Sequence, residues 1–119
     1  MALVWSVEFA AATEQDFELI FEHLVQSYTD FGDDLETAMN RAEHRILTIQ
    51  SLALELAKAP FQGTLRPDIL DELRYVRHNK AVFWFIANED RKAVQVLAVF
   101  YGGQDHIRHM LARLLAGSS

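Results

Sequence analysis

The chain has no cysteine, only two prolines and only five glycines among its 119 residues. Without cysteine, disulfide bonds, thiol catalysis and cysteine-based zinc sites are excluded. No window approaches the ~18 consecutive apolar residues that a membrane-spanning helix needs, and the first residues show no basic segment ahead of a long apolar run. We therefore expect a cytoplasmic protein that makes no contact with a membrane. No repeat divides the chain, and its length suits a single domain over residues 1–119.

The sequence also lacks a general excess of basic residues. Residues 1–59 contain eleven acidic and three basic side chains, whereas residues 60–119 contain six acidic and eight basic ones, which gives a net charge of -6. Because binding to a polyanion requires a basic surface, we expect no direct, specific DNA binding by this chain alone. Any contact with a polyanion must come from the C-terminal half.

Residues 73–101 contain three runs rich in aliphatic and aromatic residues, separated by two polar clusters. This pattern predicts a three-stranded antiparallel meander. The middle run, residues 82–86, is apolar at every position, so both of its faces must be covered. Strict alternation groups the residues of the last strand into one face with Val94, Val96, Ala98 and Phe100 and another with Gln95, Leu97, Val99 and Tyr101.

Two segments with helical periodicity are predicted to cover one face of the meander. Residues 3–9 alternate like a half-buried edge strand, and two helical stripes follow, over residues 14–29 and 35–59. Thr13 can cap the first helix and Asp33 or Asp34 the second, which stops at Pro60. The short turn between these helices predicts an antiparallel hairpin packed on the meander.

The second face of the meander has two possible covers. Residues 104–115 are apolar at helical spacing and predict a short C-terminal helix that could lie on it. Alternatively the face is an uncovered apolar patch, which usually marks a protein-binding surface, and we expect a partner to use it.

Basic and titratable residues occur at both ends of the meander, where an antiparallel arrangement could bring them together. Cations with a Tyr or His are what in-line RNA cleavage requires, because charge develops on the phosphate and a proton must reach the leaving oxygen. The candidate catalytic residues are Arg74, Lys80, Tyr101 and His106. The alternative is a set of surface charges that keep the rim of the sheet soluble.

Neither a metal nor a cofactor is predicted. His106 and His109 lie one helical turn apart, close to Asp105, but a metal site needs a third ligand that the sequence does not identify. Gly102 and Gly103 follow the last strand without the remaining residues of a P-loop or of a dinucleotide-binding fingerprint.

Three segments carry a resemblance to a known family: residues 65–67, the aromatic middle strand at residues 82–85, and the last strand with its exit at residues 96–106. Together with the order of the elements, they resemble the RelE/ParE superfamily of toxins from bacterial toxin-antitoxin, or plasmid stabilization, modules. The resemblance covers nearly the whole chain. It implies an α+β fold with an N-terminal strand, a long antiparallel helical hairpin packed on a three- to four-stranded antiparallel sheet, and a short C-terminal helix.

Departures from the family pattern favour the ParE branch over the RelE branch. Gly103 and Gln104 stand where RelE-like ribonucleases typically carry arginine, and Tyr101 replaces the usual histidine. Lys58 is what remains of the basic residues at the end of the second helix. The ParE branch lacks a catalytic constellation and acts by binding DNA gyrase, so the resemblance implies a binding protein rather than an enzyme.

The leading hypothesis is therefore a toxin that binds DNA gyrase and is neutralised by a cognate antitoxin, whose folding-on-binding segment covers apolar surface. One alternative is a ribosome-dependent mRNA endonuclease of RelE type, with the ribosome and mRNA as partners. Another is a non-toxic interaction module of the same fold. The residues expected to contact a partner are Tyr75, Trp84, Tyr101, Gln104 and Asp105.

Overall fold

A computed structural model describes residues 4–103 and 105–116, in which two helices follow the first strand and four further strands precede the last helix. The elements are β1 (Ser6–Phe9), α1 (Ala12–Asp30), α2 (Leu35–Leu54), a 3₁₀ helix (Glu55–Lys58), β2 (Thr64–Leu65), β3 (Leu73–His78), β4 (Ala81–Asn88), β5 (Ala93–Tyr101) and α3 (His106–Leu115). Two sequence predictions fall outside the described residues: Gln104 as a partner-binding residue, and Leu3 as the start of the first strand. Within the described part of the chain, no helix is both long and apolar enough to cross a membrane.

The strands form one sheet in the order β1-β5-β4-β3-β2. The α+β class and the antiparallel meander of β3, β4 and β5 are confirmed. The predicted sheet of three to four antiparallel strands is wrong in two respects. β2 adds a two-residue edge strand beside β3, and β1 pairs with β5 in parallel, from Ser6 opposite Ala93 to Phe9 opposite Val96. A parallel neighbour is possible because the long connection after β1 can return the chain to the same edge.

The predicted helical hairpin is present, but its two helices begin or end at residues that differ from those predicted. Asp34 caps α2, since its carboxylate accepts a hydrogen bond from the Thr37 N–H at 2.8 Å, and this bond lowers the pKa of Asp34. Thr13 does not cap α1, because the helix already begins at Ala12, and the Thr13 hydroxyl donates to the Ala10 carbonyl at 2.7 Å. α2 ends at Leu54, where the chain tightens into the 3₁₀ helix before Pro60.

The hairpin covers one face of the sheet, as predicted. Phe83 and Phe85 of β4 are fully buried on this side, against Ile20 and Leu24 of α1 and Ile49 of α2. Further aromatic and aliphatic side chains of both helices pack at the edge of this cluster. Since both helices contribute buried residues along much of their length, this face holds the larger part of the core.

The other face is covered by α3, and the expectation of an uncovered apolar patch there is wrong. Trp84 of β4 is completely buried in a second cluster with Phe100 and with Met110 of α3. Ile107 and Leu114 of α3 pack partly buried against the same cluster. The helical spacing of these α3 residues gives the short helix one apolar side, and that side seals the sheet.

A β-bulge in β5 changes which of its residues face the hairpin. Phe85 pairs with Val96 and Trp84 pairs with Ala98, so Leu97 is an extra residue on β5. Leu97 and Ala98 both belong to the cluster under α3, although they are consecutive. An inserted residue of this kind interrupts the alternation of a strand.

The predicted grouping of β5 side chains is therefore wrong beyond the bulge. Val99 and Tyr101 face the helical hairpin with Val94 and Val96, whereas Phe100 faces α3. Strict alternation placed Val99 and Tyr101 on the opposite side from Val94, because it allows no extra residue. The bulge thus brings Tyr101 to the hairpin side of the sheet.

Candidate partner-binding surface

Three ring systems meet beneath the first turn of α3. Tyr75 of β3 lies beside Trp84 of β4, with ring centroids 4.7 Å apart, because the two residues are paired across the strands. His106, the first residue of α3, contacts both, at 4.9 Å from the Tyr75 ring and 5.5 Å from the Trp84 ring. The start of α3 is therefore anchored on the sheet through aromatic contacts.

This cluster places polar atoms in an apolar setting. Trp84 Nε1 and His106 Nδ1 are buried and have no hydrogen-bond partner among the described residues. Burial, followed by the positive charge of Arg77, lowers the pKa of His106, and Arg66 acts in the same direction while Asp105 opposes them. The neutral imidazole is thus the form that this packing favours.

The predicted partner-binding residues differ in their access to the surface. Tyr75 and Tyr101 are half-buried, and Asp105 is exposed, with its carboxylate accepting from the Arg108 N–H at 3.1 Å to cap α3. Trp84 is fully buried under α3, so a partner reaches it only if α3 moves. Gln104 lies outside the described residues. Partner contact by all five residues stays a prediction.

The candidate catalytic residues lie at separate places on the sheet. Arg74 faces the hairpin side, where its guanidinium donates to the Phe61 carbonyl at 2.8 Å and stacks near the Phe61 ring. His106 lies on the other face, beneath α3. Tyr101 and Lys80 are at one end of the meander, roughly 13 Å along β4 from the rung of Arg74. The folded chain does not bring these four residues together into one cluster.

His106 and His109 also have separate surroundings. The His109 ring lies 5.7 Å from Phe100, whereas His106 contacts Tyr75 and Trp84. Over residues 4–103 and 105–116, no group of three or more His, Asp or Glu side chains is arranged to hold a metal ion.

An ion pair closes the part of the β5 edge that β1 leaves uncovered. β1 pairs only with residues 93–96 of β5. Farther along, Asp16 of α1 accepts a hydrogen bond from the Val99 N–H at 3.0 Å. Arg113 of α3 donates to the Asp16 carboxylate at 2.9 Å and to the Leu97 carbonyl at 3.2 Å. The pair therefore joins the helix on one face of the sheet to the helix on the other.

A cavity of about 600 Å³ opens beside this ion pair. It lies between α1, the end of β5 and α3, and it is lined by Asp16, Leu19, Ile20, His23, Val99, Phe100, Tyr101, Gly102, Gly103, His109, Ala112 and Arg113. Tyr101 and the exit turn are thus accessible from this side. Gly102 adopts φ +87, a backbone conformation that glycine tolerates best, and its N–H donates to the Lys80 carbonyl at 3.0 Å.

Comparison with known proteins identifies the fold. No family model matches the sequence, and no curated protein matches it. Among solved structures, the chain is similar to one described as "Chromosomal ParDE TA system from P. aeruginosa", with a TM-score of 0.63 and 16% sequence identity. The match covers 86% of this chain and 100% of that chain.

The chain has a ParE-like fold. This confirms the fold that the resemblance implied, from the N-terminal strand through the hairpin and meander to the C-terminal helix. At this level of identity the likeness establishes the architecture, and the roles of individual residues come from the geometry of this chain.

Within the ParE-like fold, the pairing of Asp16 with Arg113 is a feature that the sequence did not predict. Asp16 is only 3% exposed, although an acidic residue near the start of a helix can also be explained by the positive end of the helix dipole. A signal was present, because Thr13, Asp16, Ile20 and Leu24 share the buried side of α1. A carboxylate on that side requires a buried partner, although its identity depends on the tertiary structure.

Proposed function

We propose that this chain is the toxin of a type II toxin-antitoxin module, that it acts in the cytoplasm by binding DNA gyrase, and that a cognate antitoxin neutralises it. The observation that carries the proposal is the ParE-like fold, which extends over 86% of the chain. The target follows from the resemblance of the sequence to the ParE branch, which acts on gyrase by binding it.

The positions of the candidate catalytic residues support binding rather than RNA cleavage. General acid-base chemistry needs its groups within hydrogen-bonding reach of the same reacting atoms. Arg74 and His106 lie on opposite faces of the sheet, and Arg74 is engaged with the Phe61 carbonyl. A ribonuclease would have to bring these groups together by a rearrangement of the sheet or of α3.

The tip of the helical hairpin offers apolar surface for a protein contact. Phe31, in the turn between α1 and α2, is 91% exposed, and Leu35 and Met39 of α2 are 61% and 44% exposed. Exposed apolar side chains that lie close together in this way mark candidate protein-binding surfaces. We therefore assign the gyrase contact to this tip.

Induced expression of the chain without any antitoxin tests the proposal. We expect growth arrest in cells and inhibition of DNA gyrase supercoiling by the purified protein. Phe31→Ser should weaken both effects by at least about tenfold, because a large exposed anchor is lost. Leu115→Ser is the matched control, since Leu115 is 86% exposed on α3, away from the tip, and it should leave both effects unchanged.

The same assays separate the alternatives. Normal growth together with normal supercoiling would refute the proposal and leave a non-toxic interaction module. If the chain cleaves transcripts in a translating extract, and Arg74→Ala, Lys80→Ala or Tyr101→Ala abolishes that cleavage, the protein is an endoribonuclease instead.

A further inference from the structure

The cavity between α1, the end of β5 and α3 is separate from the surface assigned to the gyrase contact. That contact lies at the hairpin tip around Phe31, and none of the tip residues lines the cavity. The volume of about 600 Å³ falls in the range of roughly 300–1,000 Å³ that is usual for small-molecule sites. The cavity is thus large enough for a small organic molecule.

The inner wall of the cavity is apolar. Ile20 of α1 and both Val99 and Phe100 of β5 are buried lining residues. Ile20 and Val99 belong to the core under the hairpin, whereas Phe100 belongs to the core under α3. Leu19 and Ala112 line the same cavity but are exposed, so they lie toward its mouth. An aromatic or aliphatic body would pack on this wall and remove the exposed surface of Leu19 and Ala112 from water.

Among the described residues, no unpaired carboxylate lines the cavity. Asp16 is the one carboxylate in the described lining, and it accepts hydrogen bonds from the Val99 N–H and from the Arg113 guanidinium. Its negative charge is therefore matched by a cation within hydrogen-bonding distance. The other basic residues of the lining are His23 and His109. These groups donate hydrogen bonds, and each carries positive charge when protonated, so the lining favours an anion.

Arg113 can bind a further acceptor besides Asp16. A guanidinium has five N–H donors, and the described hydrogen bonds of Arg113, two to Asp16 and one to the Leu97 carbonyl, use three of them. The Arg113 side chain is 27% exposed, so its edge is accessible from the cavity. His23 of α1 and His109 of α3 are exposed and line the cavity from the two helices. Donors from both helices can therefore approach the same carboxylate.

We propose that this cavity binds a small organic acid with an apolar body. The carboxylate lies between His23, His109 and Arg113. The body packs on Val99 and Phe100. Because a charge-assisted hydrogen bond is roughly twice as strong as a neutral one, the acid should bind more tightly than the corresponding alcohol. An amine would bring a second cation toward Arg113 without meeting an unpaired carboxylate.

A bound acid would also stabilise the docking of α3. His109, Ala112 and Arg113 of α3 line the cavity, so detachment of α3 would destroy the site. A ligand that binds only the docked state stabilises that state by mass action. At a free concentration ten times the Kd, the population of the detached state should fall about elevenfold. The cavity is thus a place where a small molecule can regulate the position of α3.

A set of related probes tests the chemistry of the site. Phenylbutyrate has both the carboxylate and the apolar body, phenylbutanol lacks the charge, phenylbutylamine reverses it, and inorganic phosphate lacks the body. In NMR titrations of the isotope-labelled full chain, phenylbutyrate should shift the amide signals of Leu19, Val99 and Ala112 saturably. The alcohol should bind about tenfold more weakly. The amine and phosphate should give no saturable shifts over the same concentrations.

A pair of tryptophan variants locates the site. Leu19→Trp should weaken phenylbutyrate binding at least about tenfold, because the indole occupies the cavity. The matched control is Leu47→Trp, since Leu47 is 55% exposed on α2 against 54% for Leu19 and does not line the cavity. This control should change the affinity less than about twofold. Thermal unfolding verifies that both variants remain folded.

Replacing the histidines tests the recognition of the carboxylate. His23→Phe combined with His109→Phe removes the N–H donors but keeps a ring beside Phe100, which the His109 ring contacts at 5.7 Å. This double variant should lower the preference for the acid over the alcohol about fivefold, as expected for the loss of two exposed charged contacts. His44→Phe, at an exposed position of α2 outside the cavity, should leave the preference unchanged.

Hydrogen exchange completes the test. Exchange of the α3 amides should slow about tenfold when free phenylbutyrate is ten times its Kd. Unchanged exchange of α3 at saturation would place the acid elsewhere and overturn the proposal. Equal binding of the acid and the amine, or equal effects of the two tryptophan variants, would also overturn it. Displacement of phenylbutyrate by phosphate would show that the site recognises charge alone, and the proposed organic acid would then be wrong.

Discussion

The two faces of the sheet are covered in different ways. On one face, the hairpin of α1 and α2 buries residues along both helices, against Phe83 and Phe85 of β4. On the other face, Met110 is the one fully buried residue of α3. Beneath α3, Trp84 Nε1 and His106 Nδ1 are buried without a hydrogen-bond partner among the described residues. A long, well-packed cover is thus opposed by a short one with unpaired polar atoms.

A single sheet can therefore hold a stable core on one face and a more readily opened cover on the other. Local opening costs least where few apolar contacts hold an element in place. Each buried polar group without a partner lowers the stability of its surroundings by about 1–3 kcal/mol. We therefore expect α3 to detach from the sheet at a lower free energy than the hairpin, and Trp84 to become accessible when it does.

Removing one large side chain from each cover should give the largest difference in stability between the two faces. Phe83 and Met110 are both completely buried, on the hairpin side and the α3 side. Phe83→Ala should reduce the free energy of unfolding by about 4 kcal/mol and Met110→Ala by about 2 kcal/mol. Urea unfolding measures both losses. Hydrogen exchange should show a loss of protection across the whole sheet for Phe83→Ala and mainly in α3 for Met110→Ala.

A different pattern of hydrogen exchange would contradict the idea that α3 opens more easily than the hairpin. If Met110→Ala lowered protection throughout the molecule as much as Phe83→Ala, the two covers would belong to one cooperative unit. The difference between the faces would then be one of composition only.

The ion pair between Asp16 of α1 and Arg113 of α3, which links the two covers, should give the next largest effect. Asp16→Ala should destabilise the protein by about 3 kcal/mol, because it leaves the Arg113 guanidinium and the Val99 N–H without their partner. Asp16→Asn should be milder, since its amide oxygen can still accept from Val99. Urea unfolding of these variants, of Arg113→Met and of the double variants measures the coupling between the two side chains.

A coupling energy near zero would show that the ion pair does not hold α3 to α1. Glu55 and Lys58 offer a control, because both side chains of this ion pair are more than half exposed. Removing that pair should change the free energy of unfolding by less than about 1 kcal/mol.

Local sequence patterns could predict that both faces of the sheet need a cover and that a helix follows the last strand. They could not predict what covers the second face. The uninterrupted apolar run at residues 82–86 correctly required a cover on each face. The spacing of Ile107, Met110 and Leu114 correctly predicted a helix. Whether that helix or a partner lies on the sheet depends on how the chain turns after Tyr101, which periodicity does not determine.

Non-local geometry accounts for the remaining errors. The bulge at Leu97 depends on the register between β4 and β5, which two separate strand patterns do not contain. The parallel pairing of β1 with β5 depends on the path of the hairpin between them. Asp16 and Arg113 are 97 residues apart in sequence, so only the folded chain brings them together. The candidate site was therefore harder to predict than the fold.

The smallest predicted effect is a pH dependence confined to the α3 side. Burial and Arg77 hold the pKa of His106 below its ordinary value of about 6.5, with Arg66 adding to them and Asp105 opposing. The detached state of α3 therefore binds the proton more readily than the docked state. The contribution of His106 to docking is complete above about pH 6.5 and falls as the pH drops below that value toward the folded pKa.

Hydrogen exchange of α3 between pH 8 and pH 5, corrected for the intrinsic exchange rate, measures this effect. We expect protection of α3 to fall on acidification in the unmodified protein, while the hairpin side changes less. His106→Gln should flatten the pH profile of α3, because it removes the titrating group, whereas His44→Gln, at an exposed position of α2, should leave the profile unchanged. Identical profiles for His106→Gln and the unmodified protein would show that another group governs the docking of α3.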